Sequence, residues 1–153
     1  MPTTREATFA AVVKTRLVCT RLREDSLEAI VTGTCGRWVL MACWDDDTGG
    51  VAVVSLLPVF APQDRREEVQ EYLAAVNPRL ELGQIEMLDD RPGEVQFAVT
   101  VDAWEDGIPS EERIRAALAY HCQTVDRCFP GLMAVMFANA APSDAIRLFT
   151  RRS

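Results

Sequence analysis

Hydrophobic and polar positions along this chain switch between helical and strand periods, and each switch marks an element. Within residues 3–23, Phe9, Val13 and Leu17 recur every four positions, with Ala10, Val12 and Leu22 alongside, which predicts an amphipathic first helix. Glu24-Asp25-Ser26 interrupts that spacing, and Leu27–Thr32 reads as a short strand before a loop at Gly33–Gly36. The most apolar stretch follows. Arg37–Trp44 (RWVLMACW) and Val51–Phe60 (VAVVSLLPVF) flank Asp45-Asp46-Asp47-Thr48-Gly49-Gly50, which has the composition of a hairpin loop. Both runs are apolar at odd and even positions alike, so both faces of this hairpin need cover. Helices on one face of an antiparallel sheet leave the second face to another element or a second subunit.

A helix is expected from Asp64 to Val76, with Val69, Tyr72, Leu73 and Val76 as its buried stripe and Asp64 and Glu67 as a capping box. Asn77-Pro78 stops it. Residues 79–88 and 94–103 read as two strands joined by the turn Asp89–Gly93, with Gly83 suggesting a bulge in the first. In the second, Val95, Phe97, Val99 and Val101 alternate with more polar residues, so one face packs and the other is wetter. Ser110 is placed to cap a long helix whose first turn carries Glu111 and Glu112. Its stripe of Ile114, Leu118, Cys122, Val125 and Phe129 runs to a break at Pro130-Gly131, followed by a helical continuation over 132–138 and a short last helix from Pro142. No linker or repeat interrupts the pattern, so residues 1–153 form a single domain. The predicted class is α+β, an antiparallel sheet of about five strands with helices on one face, paired as a dimer.

Composition narrows this picture. With 48% hydrophobic and 25% charged residues over 153 positions, the chain folds rather than staying disordered. No apolar run reaches the ~20 residues that cross a bilayer. Residues 1–5 lack the apolar core of a secretory signal, and five cysteines share no CxxC spacing, which together predict a cytoplasmic protein with reduced thiols. The net charge of -7 argues against nucleic acid as a partner. The charge is concentrated: residues 81–112 hold ten acids and a single base, Arg91. Glu86, Asp89, Asp90, Glu105 and Asp106 are the expected acidic surface, able to steer a basic partner.

Chemistry-bearing patterns are scarce. His121 and Cys122 are helix neighbours pointing about 100° apart, so they do not converge as a nucleophile pair. Cys122 and Cys128 share no helix face for zinc. Asp45-Asp46-Asp47 fails the calcium-loop pattern because Gly49 takes the third ligand position. There is no GxGxxG, no GK[ST] phosphate loop and no GxSxG. No catalytic residue, cofactor site or metal ligand is therefore assigned. The aromatic and aliphatic set Trp38, Leu40, Trp44, Val54, Leu56 and Phe60 is instead expected to form an apolar partner or dimer face, with Trp104 as a groove rim. Alternatives are a thiol sensor at Cys35 or Cys43, near Arg37, and a small-ligand site beneath the long helix.

The element order carries three recurring words: Asn77-Pro78-Arg79-Leu80-Glu81-Leu82-Gly83-Gln84-Ile85, then Phe129-Pro130-Gly131-Leu132, then Pro142-Ser143-Asp144-Ala145-Ile146. In these the chain resembles the bacterial YbjN family of sensory-transduction regulators, by motif over residues 60–148 and by element order elsewhere. The resemblance implies a type III secretion chaperone-like sandwich that dimerises, and a non-enzymatic regulatory or chaperone-like module that binds a protein partner. None of the three words is a catalytic signature.

Overall fold

A computed structural model describes residues 18–23, 26–34, 36–44, 50–101 and 111–151. Strands β1 (Val18–Leu22), β2 (Ser26–Gly33), β3 (Gly36–Trp44) and β4 (Val51–Phe60) form a meander. Helix α1 (Arg66–Val76) then leads to β5 (Gln84–Met87) and β6 (Glu94–Val101), and α2 (Glu111–Phe137) and α3 (Pro142–Thr150) complete the chain. The strands make one antiparallel sheet in the order β1-β2-β3-β4-β6-β5, so β6 returns beside β4 and β5 becomes an edge. The α+β class read from the sequence is the one observed, with six strands among the described residues where about five were expected.

The extra strand is β1, which lies in the stretch expected as the end of the first helix. Val18 pairs with Ile30 and Leu22 with Leu27, so cross-strand pairing overrides the local four-residue period in a segment rich in strand formers. The remainder of that expected helix, residues 3–17, lies outside the described residues, as do the hairpin loop Asp45–Gly49 and the Ser110 cap.

Alternation along the strands decides the inside of the sheet. Ala29, Leu40, Ser55, Phe97 and Ile85 stand side by side across five strands, and every one is 0% exposed. On this face lie Val69, Tyr72 and Val76 of α1, Leu118, Val125 and Leu132 of α2, and Ala145 and Phe149 of α3, all in one core.

Three local expectations are corrected. The Asp64–Glu67 capping box does not form: a 3-10 turn at Gln63–Arg65 precedes α1, and neither it nor α1 has a side-chain cap. Arg65 turns away to hold the end of α2, its guanidinium donating to the carbonyls of Val135 at 2.8 Å and Ala140 at 3.1 Å. The break expected at Pro130-Gly131 is absent, and α2 runs through it for 27 residues. Tyr72 packs against this turn, donating its hydroxyl to the Cys128 carbonyl at 2.8 Å, and a Cβ on Gly131 would run into the Tyr72 ring. The strand expected from residue 79 begins only at Gln84. Asn77–Arg79 form a 3-10 turn, and Gly83 has φ +80 with room for no Cβ, since one would lie 2.5 Å from the Ala98 carbonyl.

Candidate functional site

The register places a second set of side chains on the face that carries no described helix. Ile30, Val39, Leu56, Gln96 and Glu86 form one row across β2, β3, β4, β6 and β5. The next row is Glu28, Met41, Val54, Ala98 and Gln84, followed by Ser26, Cys43, Ala52 and Thr100. The middle of this face is aliphatic and its flanks are polar. Phe60 joins it opposite Glu94, beyond an irregularity in β4. Val39 is 44% and Phe60 62% exposed, and Ile30, Met41, Val54 and Leu56 are half-buried.

The six residues expected as one partner face divide between the two sides of the sheet. Val54, Leu56 and Phe60 share this face, which is helix-free among the described residues. Trp38 and Leu40, 3% and 0% exposed, are core residues on the opposite face and cannot line the same surface. Trp44 pairs with Val51 in β3, and its side chain is outside the described residues. Residues at this surface that the sequence did not single out are Ile30, Val39 and Met41. The available signal was alternation, which cannot rank two equally apolar parities without the register.

Of the expected acidic surface, Glu86 is exposed on β5, and Asp89 and Asp90 are exposed in the turn leading to β6. Glu105 and Asp106 lie outside the described residues, as do Trp104 and Cys35. Cys43 is an exposed thiol on the helix-free face, in a shallow cleft lined also by Arg23, Ser26, Glu28 and Met41.

Polar chemistry inside the protein centres on Ser55. Its hydroxyl oxygen accepts the Trp38 indole N–H at 3.0 Å and stands 2.6 Å from His121 Nε2. The imidazole leans on Phe97, with ring centroids 4.6 Å apart. Ser55 and His121 are both 0% exposed, and burial pushes His121 down from 6.5 to about 3, so it is neutral at pH 7. The spacing is that of a nucleophile and its base. Here, however, the pair is sealed beneath α2, and His121 Nδ1 has no hydrogen-bond partner to orient it. What the arrangement does is tie β3, β4 and α2 together through one buried hydroxyl. Cys122, the neighbour of His121, is half-buried, its thiol pushed up to about 11 by burial and then by the nearby Asp126. Among the described residues no three His, Cys, Asp or Glu side chains gather in a way that would hold a metal ion. Nor is any described helix long and apolar enough to cross a membrane.

A model of the family YbjN, described as "Putative bacterial sensory transduction regulator", matches residues 10–133. The chain belongs to the YbjN family. The YbjN match spans the six described strands, α1 and most of α2, so it includes the face that carries no described helix and the Ser55–His121 pair. It begins well before the stretch in which the recurring words carry the resemblance, and it stops short of α3. No curated protein and no solved structure matches the chain. The family description is that of a regulator and names no reaction.

Proposed function

We propose that this YbjN-family chain is a non-catalytic regulatory module of the cytoplasm that binds a protein partner, including a second copy of itself, through the sheet face that carries no described helix. The observation that carries this reading is the aliphatic centre of that face. Val39, Met41, Val54 and Leu56 are adjacent across two paired strands, with the same aliphatic character as the core on the other side. Contiguous apolar surface of this kind is characteristic of association sites. Exposed Glu86, Asp89 and Asp90 add electrostatic selection, favouring partners with basic residues beside their apolar contact. Regulation then consists of occupancy: a partner covers the face or leaves it, and no bond is made or broken.

Sedimentation velocity at micromolar concentration tests the self-association half of the proposal. The wild-type chain should sediment as a dimer, and Leu56→Glu as a monomer with an unchanged circular dichroism spectrum. A wild-type monomer over the whole concentration range would remove the second copy as an occupant.

A further inference from the structure

The Asn77-Pro78 stop of α1 has a second role that the sequence pattern does not show. β5 is an edge of the sheet, and Ile85 stands opposite Phe97 of β6. Yet the Ile85 N–H donates to Asn77 Oδ1 at 2.8 Å, and the Ile85 carbonyl accepts from Asn77 Nδ2 at 2.9 Å. Both main-chain groups of Ile85 therefore point away from β6, toward the side where a further strand would pair. One primary amide supplies a donor and an acceptor together, so Asn77 reproduces the two bonds a residue of a neighbouring antiparallel strand would make. Just upstream, the N–H groups of Glu81 and Leu82 are taken by the Tyr120 hydroxyl, at 2.8 and 3.3 Å. Side chains thus hold the main chain at Ile85 on the edge strand and at Glu81 and Leu82 in the bend before it.

Unpaired strand edges are templates for another chain, and proteins block them by short strands, charges or covering elements. We propose that Asn77 is the guard of this edge: its side-chain amide fills the strand-addition site at Ile85 and keeps an extended peptide segment from joining the sheet beside β5. The 3-10 turn Asn77–Arg79 holds the guard in place, with the Asn77 backbone N–H bonded to the Leu73 carbonyl. The segment excluded is one of alternating apolar and polar residues, the pattern of β6 itself. This role is independent of what binds the helix-free face.

The test compares the full chain with Asn77→Ala and Asn77→Asp, using as probe a synthetic peptide that copies residues 94–101. Amide hydrogen exchange at Ile85 is followed by nuclear magnetic resonance. In Asn77→Ala the Ile85 amide should exchange about tenfold faster, as expected for the loss of one native hydrogen bond. Added peptide should restore its protection, while leaving Ile85 of the wild-type chain unperturbed. Asn77→Asp keeps the acceptor for the Ile85 N–H but loses the donor, so its Ile85 amide should show intermediate protection. If Asn77→Ala does not fold, Asn77→Asp carries the test through a peptide-induced shift at Ile85 larger than in wild type. Unchanged exchange in a folded Asn77→Ala, or equal peptide response in wild type and variants, overturns the proposal.

Discussion

Leu40→Glu is expected to leave no folded protein at 25 °C, whereas Val39→Glu, one residue away on the same strand, should fold with nearly wild-type stability. Leu40 is 0% exposed, between Ala29 and Ser55 in the buried row. Replacing it removes a core side chain, a loss of about 2–5 kcal/mol on the scale of leucine truncations. It also places a carboxyl group where burial without a partner costs several kcal/mol more. Together these reach the total stability of an ordinary domain, about 5–15 kcal/mol. Val39 is 44% exposed on the opposite face, with Ile30 and Leu56 beside it, so its carboxylate would stay in water. The cost there should be about 1 kcal/mol or less, the range of surface substitutions with some loss of strand propensity. Urea denaturation followed by far-ultraviolet circular dichroism checks both. Equal damage from the two substitutions would mean that the face described as open is packed.

Acidification below neutral pH should destabilise the protein through His121. The folded-state value of about 3 lies below the ordinary 6.5 of an unfolded histidine, because burial disfavours the imidazolium. Below pH 6.5 the unfolded chain therefore binds a proton that the native state refuses. The stability that neutral His121 provides is complete above about pH 6.5 and is lost as pH falls toward 3. Between pH 7.5 and pH 5 the loss should be about 2 kcal/mol, with a slope approaching ~1.4 kcal/mol per pH unit. His121 is the chain's single histidine, so no other imidazole contributes in this window. Unfolding free energies measured across it for wild type and His121→Leu should show a falling curve for the first and a flat one for the second. A flat wild-type curve would contradict a buried, neutral His121.

These two predictions also mark where the sequence was legible. The strands of the apolar hairpin and the stop at Asn77-Pro78 follow from local chemistry, and the structure has them where the pattern places them. Of the α2 stripe, Leu118 and Val125 are buried, Cys122 and Phe129 are half-buried, and the Ile114 side chain lies outside the described residues. The division of the hairpin into an inner and an outer face does not follow from local chemistry. Alternation does not rank the two parities of β4, Val51, Val53, Ser55 and Leu57 against Ala52, Val54 and Leu56. The first set faces the core, where the Ser55 hydroxyl is satisfied by Trp38, 17 residues away, and His121, 66 residues away. Pairing Leu40 with Ser55 then sets Trp38 and Leu40 on the side opposite Val54 and Leu56. A buried polar group with distant partners thus belongs to a parity that composition does not decide, and register is the quantity needed to see it. The same distance effect hides the Asn77 amide, whose partner Ile85 lies eight residues on, across a turn. In β1, Val18 and Thr20 are as consistent with a strand as with the tail of a helix, and only pairing with β2 decides.

Site-specific photo-crosslinking in the native host shows whether the sheet face that carries no described helix is the interaction surface. A photoreactive phenylalanine analogue is placed singly at Val39, at Leu56 and, as a control, at Phe137, which is 60% exposed at the end of α2. Discrete protein adducts are expected from positions 39 and 56 and none from 137, with an adduct of twice the chain mass where the occupant is a second copy. Adducts from position 137 alone, or none from either sheet position, would contradict it.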